Sequence, residues 1–282
     1  MRAEPIRIFI GASPSEWLPA KVLEYSIKVN TKSPVKTYLL SSVCRSFELP
    51  LNKKNHPRTP FSFQRFLIPE ICGYQGRAIY LDADMLVFND INAVWETDFE
   101  GADLLTTKSK DLGRSPQYSV MLLDCGKLSW SIENIINSLN KEDFTYEQLM
   151  YELIVAKSPT AKLPWEWNSL EYYDAINTNL LHYTDMNTQP WISRKNEYYD
   201  LWVSFLARAL ADGSILMSEI VQEVNAGFVR PSLLQELSKG KSTDGLVSNI
   251  FKLYLDEFRF APPYKTLKPS LFSRIKNRWF KS

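Results

Sequence analysis

The stretch Arg77 to Asp90, RAIYLDADMLVFND, constrains this chain more than any other. Four apolar residues, Ala78 to Leu81, read as a strand drawn into a core, and the next three residues place Asp82 and Asp84 one residue apart. In extended backbone, positions i and i+2 share a face, so the two carboxylates can converge on one ion. Two aspartates at a buried strand end are costly unless something cationic compensates them. A divalent metal with oxygen ligands does so, and it keeps positions for a diphosphate and water. The plainer reading is a strand end with solvated carboxylates or helix caps.

Around this element, β-branched runs alternate with helical patterns. Strands are expected at Ile6 to Ile10 (ending at Gly11), Val35 to Leu40, Ala102 to Thr106, Ser119 to Asp124 and Asn179 to Tyr183. Helices are expected at Leu18 to Val29, at Phe61 to Cys72 with Pro69 weakening its last turn, and at about 130–139 and 143–156. Strands alternating with helices imply a layered α/β sheet. After Trp191 the pattern turns helical: Asn196 to Leu210 with Asn196 as N-cap, then about 215–224, 231–238 and 246–257. We read one domain over 1–260, made of a catalytic α/β core (1–192) and a helical addition (193–260), followed by a basic tail (261–282).

Composition prunes the function classes. The 282 residues carry 33 basic and 32 acidic side chains, a net charge of +1, which lacks the basic surplus of a dedicated nucleic-acid binder. No GxGxxG, GxxxxGK[ST] or GxSxG occurs, so the sequence gives no case for a dinucleotide fold, a P-loop or a hydrolase elbow. Three scattered cysteines, Cys44, Cys72 and Cys125, suit a reducing compartment and read as inert thiols. With only His56 and His182, a His-rich zinc site is excluded. No apolar run approaches the ~18 residues that cross a bilayer, and Met1 to Ile10 lacks a signal-peptide core. The expected location is cytoplasmic.

Taken together, several of these segments resemble family 8 glycosyltransferases, the glycogenin and bacterial galactosyltransferase group. Arg65 stands on the helix before a "YLDxD" element, Tyr80 to Asp84, and Asp90-Ile91 followed by Trp95 continues it. Leu163-Pro164-Trp165-Glu166-Trp167-Asn168 is similar to an "LP..WN" element, and Leu181 to Trp191 to the family's "HxxGxxKPW" segment. The resemblance runs in order over about residues 6–192. It implies a GT-A fold, a mixed sheet flanked by helices, and retaining transfer of a hexose from a nucleotide sugar, UDP-glucose or UDP-galactose.

On that resemblance Asp82, Asp84 and His182 are metal ligands. The metal is manganese, with magnesium as the alternative, and the imidazole nitrogen favours manganese. Arg65 offers a planar fork to the diphosphate. Gly11, Ala12, Ser13, Ala83, Gln117 and Gln189 join Arg65 and the two aspartates as donor-binding candidates. Gln148, in the place of the family's "DQD", and Asp124 are catalytic candidates. The departing phosphate helps to deprotonate the acceptor, which is a glycan, lipid or protein.

The chain also departs from the pattern. Gln189 stands where the family has a lysine, Gln117 and Ser119 replace an asparagine and a glycine, and the loop Gly11 to Pro14 lacks the usual acidic or amide group. Trp165, Trp167 and Trp191 are core residues or sugar-stacking platforms. Arg65 could instead pair with Glu70, and His182 could be a satisfied core histidine.

Two competing functions are a non-catalytic glycosyltransferase-like module that binds a sugar or partner, and a haloacid-dehalogenase-type phosphatase. The second lacks the later GDxxxD pair that it needs. The tail from Lys265 to Ser282 has six basic residues and no acidic one. Read as a helix from Ser270, it gathers Leu271, Phe272, Ile275 and Trp279 on one face, which fits peripheral contact with an anionic membrane.

Overall fold

The computed structural model describes residues 4–110, 118–238, 256 and 260–263. Gln117, most of the helix expected at 246–257 and the basic tail from Lys265 lie outside them. The chain divides into two compact units, Met1–Thr184 and Asp185–Ser282.

The first unit is built on a six-stranded mixed sheet. Its strands are β1 (Ile6–Gly11), β2 (Val35–Leu39), β3 (Arg77–Asp82), β5 (Leu104–Thr107), β6 (Val120–Asp124) and β7 (Pro159–Leu163), in the spatial order β2-β1-β3-β6-β5-β7. β1 runs parallel to β2 and β3, and β5 parallel to β7, whereas β6 is antiparallel to both its neighbours. A second sheet orders β4 (Met85–Val87), β9 (Leu180–His182) and β8 (Ser169–Leu170) as β4-β9-β8.

Both faces of the central strands are buried, which is why β3 and β6 read as continuous apolar runs rather than alternations, whereas the edge strands β2 and β7 are partly exposed. Successive side chains go to opposite faces. Phe9, Ala78, Tyr80, Met121 and Leu123 join one core with Ile132, Ile135, Ile136 and Leu139 of helix α2 (Ile132–Lys141). Ile8, Ile10, Ile79, Leu81, Val120 and Leu122 join the other with Ala20, Leu23 and Ile27 of helix α1 (Trp17–Asn30). The expected mixed sheet flanked by helices is therefore present, with β4, β7 and β8 added.

Two expected helices are altered. Phe61 to Cys72 is helical but broken: α-helical turns at Phe61–Gln64 and Ile68–Ile71 flank a 3-10 turn at Arg65–Leu67. Pro69 has no N–H for the Arg65 carbonyl and its ring crowds that group, so the turn before it tightens. The amide of Ile68 bonds to Arg65 O instead. At 143–156 only a short helical stretch forms, over 146–152, π-helical at Gln148–Glu152. Left-handed backbone at Glu142 (φ 60°) and Leu153 (φ 51°) closes both sides of that region.

The second unit contains α3 (Tyr199–Ala211), α4 (Met217–Asn225) and α5 (Ser232–Ser238). Asn196 precedes α3 without capping it directly, since its Oδ1 accepts from Tyr198 N at 2.8 Å. Arg230 is fully buried. Its guanidinium meets Glu236 at 2.8 Å through both terminal nitrogens and Ser232 Oγ, while Nε donates to Pro190 O at 2.8 Å. Trp191 is buried and packs 5.6 Å from Trp202, so it is a core residue of this unit. Among the described residues, no helix is long and apolar enough to cross a membrane.

Candidate metal and donor site

The site forms where the two sheets of the first unit meet. Asp82 ends β3, the chain bends at Ala83-Asp84, and β4 begins at Met85. The two carboxylates therefore converge through a bend between two strands, not along one extended strand. β4 pairs antiparallel with β9 so that Met85 faces His182, and Tyr183 N donates to Asp84 O at 2.9 Å. This pairing carries His182 to the aspartates across nearly a hundred residues of sequence. One ligand atom from each of Asp82, Asp84 and His182 lies within 4.8 Å of the others.

The backbone at the bend is tied on both sides. Asp82 N donates to Ser119 O at 3.1 Å, and Ala83 N to Gly11 O at 3.0 Å. Gly11 pairs in register with Asp82, and a Cβ there would sit 2.5 Å from Tyr80 Oη and 2.9 Å from Phe61. Glycine is required because the Tyr80 ring crosses this position, and its hydroxyl donates to Asp82 Oδ1 at 2.5 Å.

Arg65 is buried and stands over the Tyr80 ring, 4.6 Å from its centroid. One terminal nitrogen donates to Tyr118 O at 3.0 Å and the other lies 3.7 Å from Asp82 Oδ1. Glu70, its other candidate partner, is instead bound by Arg45 at 2.8 Å. Arg65 Nε is buried with no hydrogen-bond partner among the described residues. Burial pushes the Asp82 carboxyl up, and Asp84 pushes it further, against the pull of Arg65.

His182 is buried, with Nε2 3.0 Å from Asp84 Oδ1 and Nδ1 2.9 Å from Asn168 Oδ1. Burial opposes the charged ring, but the two aspartates outweigh it and raise its pKa above the ordinary value. Asn168 was not singled out as a site residue in the sequence, although it closes the Leu163 to Asn168 element and so left a signal.

Glu16 was missed too. The loop after β1 does hold an acidic group: Glu16 folds back to accept from Ser13 N at 2.8 Å and Ser13 Oγ at 2.6 Å. Burial, against the Ser13 hydroxyl bond and reinforced by the charge of Asp84, pushes its carboxyl up to about 7.

The structure thus gathers Gly11, Ala12, Ser13, Arg65, Asp82, Ala83, Asp84 and His182 at one end of the sheet. Asp124 does not join them. Antiparallel pairing sets it against Arg77, at the opposite end of β3 from Asp82 and roughly 16 Å away at about 3.3 Å per residue. There its Oδ1 accepts from Gly126 N at 3.1 Å. Gln148 spends its amide on a capping box: Oε1 accepts from Thr145 N at 2.9 Å while Thr145 Oγ1 accepts from Gln148 N at 3.1 Å. Gln189 belongs to the second unit, buried in a turn where its backbone N–H donates to Asp185 O at 3.1 Å. Trp167 is buried in the core of the first unit, whereas Trp165 is half-buried.

The donor set fits a divalent ion: two carboxylate oxygens and one imidazole nitrogen, held close together where like charges need a cation.

Comparison with known proteins agrees with this fold. Residues 17–121 match the family model described as glycosyl transferase family 8. Protein CDI of Arabidopsis thaliana is 27% identical over 229 residues, 71% of this chain and 86% of that protein. The galactosyltransferase LgtC, in complex with donor and acceptor sugar analogues, superposes with a TM-score of 0.53 at 13% identity, covering 74% of this chain and 100% of that one. The WbbM bifunctional glycosyltransferase gives 0.54 at 12%, covering 72% of this chain. GlyE of Streptococcus pneumoniae gives 0.52 at 15%, covering 75%. This chain spans only 50% of the WbbM chain and 64% of the GlyE chain. The structural likeness carries the fold, and the sequence match includes Arg65 and both aspartates. Residues 17–121 are thus similar to glycosyl transferase family 8, and the chain has the mixed α/β fold of GT-A glycosyltransferases.

Proposed function

We propose that this protein transfers a hexose from UDP-glucose or UDP-galactose to an acceptor hydroxyl with retention at the anomeric carbon, and that the transfer depends on manganese, with magnesium as the alternative. The observation that carries this reading is the convergence of Asp82, Asp84 and His182 within 4.8 Å beside a buried arginine. A divalent ion held by these three groups supplies compensation for the negative charge that builds on the leaving diphosphate.

The chain's own residues do the rest. Arg65 contributes a planar fork of donors, one of which, Nε, has no partner among the described residues, to the same diphosphate. The bond from Ala83 N to Gly11 O ties the end of β1 to the bend at Ala83-Asp84 and keeps the donor loop against the aspartates. Asp124 lies at the far end of β3 from Asp82, and the acceptor proton passes to the departing diphosphate oxygen as the new C–O bond forms and the old one breaks.

The test is a thermal-shift screen of nucleotide sugars with manganese, followed by UDP release from the stabilising donor. Stabilisation by a UDP-hexose and EDTA-sensitive UDP release support the proposal. Stabilisation without turnover, across glycan, lipid-linked and protein acceptors, turns it toward the non-catalytic module. Nothing in the fold or the family match favours the phosphatase.

A further inference from the structure

His182 presents two ring nitrogens, and the hydrogen bond made by one decides what the other can do. Nδ1 faces Asn168 Oδ1 at 2.9 Å and Nε2 faces the Asp84 carboxylate at 3.0 Å. The Asn168 amide is held from its far side. Its Nδ2 donates to Ser119 Oγ at 3.2 Å and to Thr107 Oγ1 at 3.5 Å. Asn168, Ser119 and Thr107 are all buried, so these bonds do not compete with bulk water.

An amide oxygen only accepts, so the orientation that gives Nδ2 to the two hydroxyls leaves Oδ1 to take the Nδ1 proton. In the neutral ring the Nε2 lone pair then points toward the aspartates. A flipped amide would offer N–H to Nδ1, move the ring proton to Nε2 and block coordination. Ser119 acts twice here, because its carbonyl also accepts from Asp82 N at 3.1 Å. It links the backbone of one metal-site carboxylate to the side chain that orients the histidine.

We infer that Asn168, with its amide held by Ser119, is a positioning residue that fixes His182 in the Nδ1–H form and so prepares Nε2 to bind the metal. This rests on the metal reading of Asp82, Asp84 and His182. Partners of this kind behind a ligating histidine are worth about 10–100-fold in metal affinity.

The chain has only two histidines, so ¹⁵N spectra of the imidazoles separate His182 from His56 cleanly. The experiment uses the full chain, with Zn²⁺ as a diamagnetic probe for the spectra and Mn²⁺ for calorimetry. We expect wild type loaded with Zn²⁺ to show a protonated Nδ1 and a coordinated Nε2. Asn168→Leu loses the protected Nδ1–H signal and weakens Mn²⁺ binding about 10-fold or more. Asn168→Asp keeps the acceptor and restores both, and Ser119→Ala gives a smaller loss in the same direction. Wild-type affinity and signal in Asn168→Leu overturn the inference. So does an Asn168→Asp protein that melts like wild type yet binds Mn²⁺ as weakly as the leucine variant. A wild type that binds neither ion overturns the metal site itself, a result distinct from either of these.

Discussion

Arg65 and Asp82 face each other across 3.7 Å inside the protein, the guanidinium 8% and the carboxylate 19% exposed at their side chains. At this distance and depth the arginine offsets part of the charge that the aspartate pair concentrates. The same guanidinium donates to the Tyr118 carbonyl just ahead of β6, and so joins the helix before β3 to the strand that pairs beside β3. The arginine is already fixed in place before any substrate arrives.

Arg65→Lys therefore keeps a charge and loses the fork. We expect donor binding to weaken by about 10-fold, near 1.4 kcal/mol, measured by calorimetry with UDP. Arg65→Ala leaves a buried carboxylate uncompensated and should cost roughly 3 kcal/mol of stability by denaturant titration. Unchanged UDP affinity in the lysine variant removes the fork from the argument.

Asp82→Asn and Asp84→Asn should each lower UDP release by at least ~10²-fold, the scale of losing a principal electrostatic stabiliser. Each variant should stay folded in the metal-free state by circular dichroism, because the relief of carboxylate repulsion offsets part of the loss of Arg65's or His182's partner. Full activity of either variant after EDTA treatment would contradict the metal reading.

Glu16 gives a pH signature. Its carboxyl lies at about 7 in the fold against an ordinary 4.5, so between these values the folded state holds a proton that the unfolded state has lost. Stability from this group therefore falls as pH rises from 4.5 through 7. In metal-free protein, Glu16→Gln should melt like wild type near pH 5 and higher than wild type at pH 8, by roughly 1–2 kcal/mol once partial exposure is allowed for. Parallel pH profiles for the two proteins would place Glu16 in ordinary solvent.

Glu24 has the opposite sign. Burial works against its charge, but Lys21 and Lys28 at 2.7 Å and Thr37 at 2.8 Å hold its carboxyl down to about 2. That stability is present above 4.5 and is lost as pH falls toward 2. Glu24→Gln should cost about 1–2 kcal/mol at pH 7, and the gap to wild type should close in acid. A constant gap across the acid range would assign the loss to packing alone.

Gly11→Ala places a methyl 2.5 Å from Tyr80 Oη and 2.9 Å from Phe61. We expect a loss of about 1–3 kcal/mol by chemical denaturation. The double variant Gly11→Ala, Tyr80→Phe removes the nearer clashing atom and should recover part of it. If the single substitution is neutral, the close approach of the tyrosine does not constrain this position.

The strands at Ile6, Ala78 and Val120 were legible in sequence because a strand buried on both faces must be apolar throughout, and few other elements are. The Asp82-Ala83-Asp84 element was legible because charge beside such a strand is expensive. Other features left weaker traces. Over 61–72 the spacing predicts one helix weakened by Pro69 in its last turn, yet the proline's missing donor shows itself earlier, as a 3-10 turn beginning at Arg65 itself. At 143–156 the apolar spacing suggested a long helix, whereas Gln148 shows its capping role only once Thr145 is seen beside it.

By itself, the order of residues determined the layered α/β class and the aspartate pair, while the resemblance to family 8 glycosyltransferases is what pointed to His182 and Arg65. Local periodicity and the cost of buried charge are properties of short segments, so they can be read directly. Tertiary structure alone decided which of these groups meet. The pairing of β4 with β9 delivers His182 to Asp84, antiparallel pairing sends Asp124 to the far end of β3, and the fold back of Glu16 puts a carboxyl where the loop sequence showed none. Register between distant strands depends on packing summed over the whole core, and no short segment contains that sum.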